Sequence, residues 1–272
     1  MRPAIALPAG AGYVRVERTS GGRTSVTHAR ATSPLRVFTP NVTPETAWLV
    51  TSTLGGGLVG GDQIALSLDV GDGARALLLS QASTKIYRST RLSRQSLEAR
   101  VGRGGQLLVL PDPVTPFAGS TFEQSQSFSL ADDAGLLVLD WFTAGRRASG
   151  ERWAFDRYSS RLEIARAGQR VFYDHLWLSQ ADGSIPERLR QFNVYALVVA
   201  LGSDQGVRPG SDHGNSRSPR PVDLLWSVAP LGPSGVVLRV AGTTTEQVAA
   251  VVRDFCAPIA SVIGADPWAR RW

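Results

Sequence analysis

At 272 residues, with 43% hydrophobic and 19% charged residues, the chain has enough apolar material for one large β domain or two ordinary ones. Its net charge of +6 comes almost wholly from arginine, since Lys85 is the one lysine, and those arginines are spread along the chain; a nucleic-acid binder would concentrate them in a patch with stacking aromatics. The single cysteine, Cys256, excludes an internal disulfide, three scattered histidines exclude a soft-metal cluster of standard spacing, and no run of about 18 apolar residues suggests a membrane span.

In chain order, residues 1–11 read as a loose N-terminal segment, because prolines break their short apolar patch too early for a secretory signal, and a cytoplasmic location is expected. Short strand-like runs follow at Tyr13–Glu17, Leu35–Phe38, Thr46–Thr53, Ile64–Val70, Ala74–Ser80, Gln95–Val101 and Gln106–Leu110, separated by Gly, Pro or polar turns. More come at Phe122–Leu130, Leu136–Thr143, Arg161–Arg166 and Gln169–Ser179. No helical periodicity lies between them, so the spacing predicts stacked antiparallel sheets over a doubly wound α/β fold. Phe192–Leu201 reads as a further strand, and residues 202–221, rich in Gly, Ser, Pro and Arg and carrying His213, as a mobile loop. The clearest helix starts at Thr243: Thr243 and Glu246 form a capping-box pattern, Val248, Val252, Phe255 and Ile259 recur at helical spacing, and Pro258 should bend or end it. Cys256 lies beside that apolar face and reads as a core thiol. No linker divides the chain, so residues 1–272 are expected to form a single domain.

The most informative stretch is Leu54–Asp62, LGGGLVGGD, followed at Ser80–Ser89 by SQASTKIYRS. Gly55, Gly57 and Gly60 satisfy the letters of a dinucleotide fingerprint, but the residues after them alternate with period two, as a strand does, and no helix opens there to face a pyrophosphate. No GK[ST] follows, so a phosphate-cradling loop is excluded as well. Four carboxylates stand out. Asp62 closes the glycine loop, Asp112 lies between Pro111 and Pro113, Asp140 ends the apolar run LLVLD, and Glu151 closes GRRASGE within reach of Arg146, Arg147 and Arg152. Turn capping and arginine pairing are the plain structural fates of such residues; Asp140, at the end of an apolar strand, should be partly buried and therefore needs a partner.

The strings GGLVGGD, SQASTKIYRS, LPDPVTPFAGS and GRRASGE, with Pro34–Leu35–Arg36–Val37 ahead of them and a terminal Trp, resemble in order and spacing the UreD (UreH) family of urease accessory proteins. The chain differs from the family in having Thr53-Leu54-Gly55 where two prolines usually precede the glycine string, and Pro111-Asp112-Pro113 where an acidic or polar pair is usual. The resemblance implies an elongated, helicoidal two-layer fold of antiparallel or mixed sheets with a small C-terminal helical part, and no enzymatic activity. It implies action with UreF and the GTPase UreG as a chaperone complex that binds apo-urease and delivers nickel, with UreF contacts near the C-terminus. It further implies a water-filled passage carrying Ni2+ transiently, with no tightly bound cofactor. Asp62, Asp140 and Glu151 are the expected oxygen ligands along that path, which exchange metal more readily than imidazole or thiolate. Gly57, Gly60, Gly61, Ser80, Gln81, Thr84, Lys85, Tyr87 and Arg88 are the expected interface or passage residues. The competing readings are an arginine-rich β module binding an acidic polymer or acidic protein surface, and a hydrolase using Asp62 and Asp140 as an acid/base pair.

Overall fold

The computed structural model describes residues 7–202 and 223–269. The expected loop at residues 202–221, with His213, lies outside them apart from Gly202, as do residues 1–6; Ala11 belongs to the first strand. The chain opens with β1 (Ala11–Arg18), β2 (Thr24–Ala31), β3 (Leu35–Phe38), β4 (Ala47–Thr53) and the two-residue β5 (Gly57–Leu58). It continues through β6 (Gln63–Val70), β7 (Arg75–Ser80), β8 (Thr84–Ile86), β9 (Ser93–Val101), β10 (Gln106–Val109) and β11 (Val114–Pro116). After β12 (Thr121–Leu130), β13 (Gly135–Thr143), β14 (Arg157–Arg166) and β15 (Gln169–Ser179) come the short helix α1 (Ile185–Leu189), β16 (Val194–Leu201), β17 (Leu224–Pro230), β18 (Gly235–Gly242) and α2 (Thr245–Ile263).

Two sheets hold these strands, one of seven in the order β15-β14-β12-β9-β6-β1-β2, the other of eleven around the path β17-β18-β16-β13-β10-β7-β4-β3. From β6 onward the chain crosses between the sheets with every step: β6 lies in the first, β7 and β8 in the second, β9 in the first, β10 and β11 in the second, β12 in the first, β13 in the second. Each coil advances one strand position, so successive strands within a sheet run parallel, from β1 through β6, β9 and β12 to β14, and from β4 through β7 and β10 to β13. The helicoidal, two-layer, mainly β fold of mixed sheets is as expected. The antiparallel pairing inferred from the lack of intervening helices holds only toward the sheet edges, at β1·β2, β3·β4, β14·β15 and β13·β16·β18·β17. A parallel pair needs a long crossover, usually a helix; here a strand of the opposite sheet supplies it.

Sequence explains the layering. β6 alternates Ile64, Leu66, Leu68 and Val70 inward with exposed residues outward, since the outer face of the first sheet meets water. Strands β7, β10 and β13 are almost continuously apolar because the second sheet is covered on both faces. Their inward residues, among them Leu78, Leu107 and Val138, join the core between the sheets, while Leu77, Leu79, Leu108, Leu137 and Leu139 pack outward with Val248, Val252 and Cys256 of α2. Helix α2 is capped one residue later than expected. The Thr244 hydroxyl accepts from the Gln247 amide at 3.3 Å and the Gln247 side-chain oxygen accepts from the Thr244 amide at 3.2 Å, because glutamine at the third position serves as well as glutamate. Pro258 does not end the helix, which runs to Ile263; the Ile259 side chain lies outside the described ones.

Candidate functional site: a wedge through the second sheet

The second sheet is split along a seam. Val50 pairs with Leu79 and, beyond a break, Gly57 pairs with Lys85. Leu78 pairs with Val109 and Thr84 with Val114; Val109 in turn pairs with Val138 and Val114 with Phe142. Between these matched positions the chain takes four steps in β13, five from β10 to β11, six from β7 to β8 and seven from β4 to β5. One surplus residue per neighbouring strand cannot stay in register, so residues 54–56, 81–83 and 110–113 leave the ladder side by side. The result is a wedge, closed at β13 and widening toward the glycine loop.

Behind the seam lies a cavity of about 170 Å³ between the two sheets. Gly56, Gln81, Ser83, Pro111 and Asp112 border it from the breaks, and Gln95, Gln124 and Gln126 from the first sheet. Asp140 stands at its closed end, on the inward side of β13 between Val138 and Phe142. Gln124 donates to Asp140 Oδ1 at 2.8 Å and to Ser160 Oγ at 3.2 Å, while the Ser160 hydroxyl donates to Asp140 Oδ2. Among the described residues Asp140 takes part in no ion pair. It lies deep in the protein yet keeps partial access through the cavity; burial pushes its carboxyl above the ordinary carboxylate range, against the opposing pull of the Ser160 and Gln124 hydrogen bonds. An interior carboxylate held by neutral donors calls for a counter-charge, and a lining of amide, hydroxyl and carboxylate oxygens suits a hard or hydrated cation.

The glycine loop and the SQASTKIYRS segment form the wide end together. A Cβ on Gly57 would sit 2.4 Å from the Lys85 carbonyl oxygen and one on Gly60 would enter the Ser89 side chain, so both glycines are required by close approach of the second segment. Gly61 adopts φ +93 against the Arg91 guanidinium. Ser80 is buried and its hydroxyl accepts from the Asp112 amide at 2.7 Å; Gln81 and Thr84 border the cavity. Lys85 and Arg88 point to solvent, and Tyr87 stacks edge-on against Phe117 with its hydroxyl donating to the Gly55 carbonyl. Leu54 and Val59, about half exposed, rim the loop.

The other two expected ligands also make structural hydrogen bonds. Asp62 Oδ2 accepts from the Val59 amide at 2.9 Å and so caps the loop's own turn. Glu151 pairs with Arg146 and accepts from the Ala118 amide at 3.0 Å, and these bonds hold its carboxyl below the usual range. Neither borders the cavity on which Asp140 opens. Among the described residues no three His, Cys, Asp or Glu side chains converge as a metal cluster. Other arginines form exposed pairs, such as Arg103 with Asp72 and Arg239 with Asp174. Sequence reading missed Gln124 and Ser160. The signal was available for Gln124, a polar residue in the inward row Phe122, Gln124, Gln126, Phe128, Leu130, all of them buried.

The family model described as UreD urease accessory protein matches residues 9–272. A protein named urease accessory protein UreD from Sorangium cellulosum is 46% identical over 269 residues, covering 97% of this chain and 85% of the relative. One of the same name from an Anaeromyxobacter is 43% identical, covering 99% and 92%, and urease accessory protein D from Oryza sativa subsp. japonica is 36% identical, covering 97% and 96%. Set beside the glycine loop, the SQASTKIYRS segment and the coiled two-layer sheets, these matches establish that the chain belongs to the UreD family of urease accessory proteins.

Proposed function

We propose that this chain works in the cytoplasm as a non-catalytic subunit of a complex with UreF and the GTPase UreG, binds apo-urease, and passes Ni2+ to it through the wedge in the second sheet. Nickel is cargo here. The observation that carries the reading is the position of Asp140: a carboxylate that pairs with no cation among the described residues, at the closed end of an oxygen-lined cavity whose mouth is the family's own glycine motif. Asp140 guides the hydrated ion, with its carboxylate oriented by Gln124 and Ser160; Asp62, in the capped turn of the glycine loop, and Glu151, beside Arg146, are the further carboxylates of the path. Few oxygen ligands and retained waters let an ion move on, which thiolate or imidazole would hinder.

Affinity purification of the chain from its native host tests the assignment. UreF, UreG and urease subunits are expected to co-purify and to survive moderate salt, as an interface with an apolar core does. Recovery of an acidic polymer instead, released steeply as ionic strength rises, would contradict it.

A further inference from the structure

Asp140 and its neighbour Trp141 point to opposite faces of the second sheet, as successive strand residues do. Asp140 faces the wedge, and Trp141 belongs to the outer cluster beneath α2. Trp141 nevertheless borders two cavities: the wedge, and a second one of about 190 Å³ between the sheet and α2. Pro111 and Asp112 also border both. Backbone does not seal the boundary there. β10 ends at Val109, β11 begins at Val114, and the two prolines between them have no N–H to offer a ladder. A side chain spans the gap instead: Trp141 Nε1 donates to the Pro111 carbonyl at 2.8 Å.

We propose that the Trp141 indole is a door between the wedge and the compartment beneath α2, through which a hydrated divalent cation passes between Asp140 and the α2 side of the protein. The inference rests on the reading of the wedge as an ion passage. Its one side-chain hydrogen bond is to Pro111 and a cavity lies on either side of the ring, so it can swing without unpairing any strand, giving up only part of its packing in the outer cluster. Asp112 provides a carboxylate bordering both compartments, and Trp268 with Ala249 and the exposed Arg253 close the outer one. Each cavity is roomy enough for several waters, which a hydrated cation requires.

The test uses the full chain in its complex with apo-urease and nickel ions alone as the probe, reading nickel bound per urease over time. Ala249→Phe fills the outer compartment from α2 without touching the wedge, and Asp140→Asn is the reference. Both are expected to slow loading about tenfold, with assembly intact, while Trp141→Ala loads at least as fast as the unaltered chain. Wild-type loading by Ala249→Phe beside slow loading by Asp140→Asn would overturn the door and leave the wedge standing. Wild-type loading by Asp140→Asn would remove the passage itself. Trp141→Ala decides independently if Ala249→Phe does not assemble: loading as slow as with Asp140→Asn would make the indole a wall the path needs, not a door.

Discussion

Valine at position 57 should close the mouth of the wedge. Its Cβ would meet the Lys85 carbonyl oxygen at 2.4 Å and the Tyr87 ring at 2.8 Å, and Lys85 is the residue opposite Gly57 in the β5·β8 pair. Backbone cannot rotate aside as a side chain can, so β5 must lift off β8. Overpacking of this kind costs about 1–3 kcal/mol, and the lifted loop carries Gly56, which borders the cavity. Thermal unfolding should therefore move down by several degrees, and urease activation should fall with it. Gly55→Ala is the control: the added methyl meets nothing within 4 Å, so its cost is limited to the φ +86 backbone, about 1–2 kcal/mol, with the mouth open. An unchanged melting temperature and normal activation for Gly57→Val would make the loop a mere connector.

Truncation from Thr243 should give an unfolded or aggregated product, and with it loss of UreF. Helix α2 buries Val248, Val252, Cys256 and Ile263 to 2% exposure or less against the outer face of the second sheet. Removing about 1.5–3 kcal/mol per such side chain approaches the whole stability of an ordinary domain. It would also bare Trp48, Leu77, Leu79 and Leu108, a contiguous apolar surface. Charge reversal at the exposed Asp254 separates packing from docking, because it leaves the buried stripe intact. Soluble yield and UreF co-purification check both points. A soluble, UreF-binding truncation would show that α2 neither seals this face nor contacts the partner.

What the sequence revealed, and what it concealed, follows from the range of each signal. The adjacency of the glycine loop and SQASTKIYRS was legible because close approach demands glycine at Gly57 and Gly60. Asp140 was legible because a carboxylate ending an apolar run must be reconciled with burial. Strand direction was hidden, since period two is the same in parallel and antiparallel sheets. The edge strand β2 was hidden because its residues, TSVTHARA, are all at least partly exposed and carry no apolar alternation. The capping residue slipped by one among three consecutive threonines. The wedge itself had no local signal: it comes from a register surplus that grows across four strand paths far apart in sequence.

The most direct test of the wedge as a nickel passage is the nickel content of urease matured with Asp140→Asn. Asparagine keeps the shape and an oxygen to accept from Gln124, and the Ser160 hydroxyl can turn to accept from its amide. The folded-state pKa of Asp140 is raised, so the native protein holds this proton more tightly than the unfolded chain does. Stability is accordingly lost as pH rises from the ordinary carboxylate range through the folded pKa, and at higher pH the ionised group is a net cost that asparagine removes. The variant should thus be at least as stable as the parent above that range, and its complex with UreF, UreG and apo-urease should assemble. Under those conditions nickel per urease is expected to fall about tenfold at a fixed early time. An intact complex that delivers nickel at the parental rate would contradict the passage through Asp140.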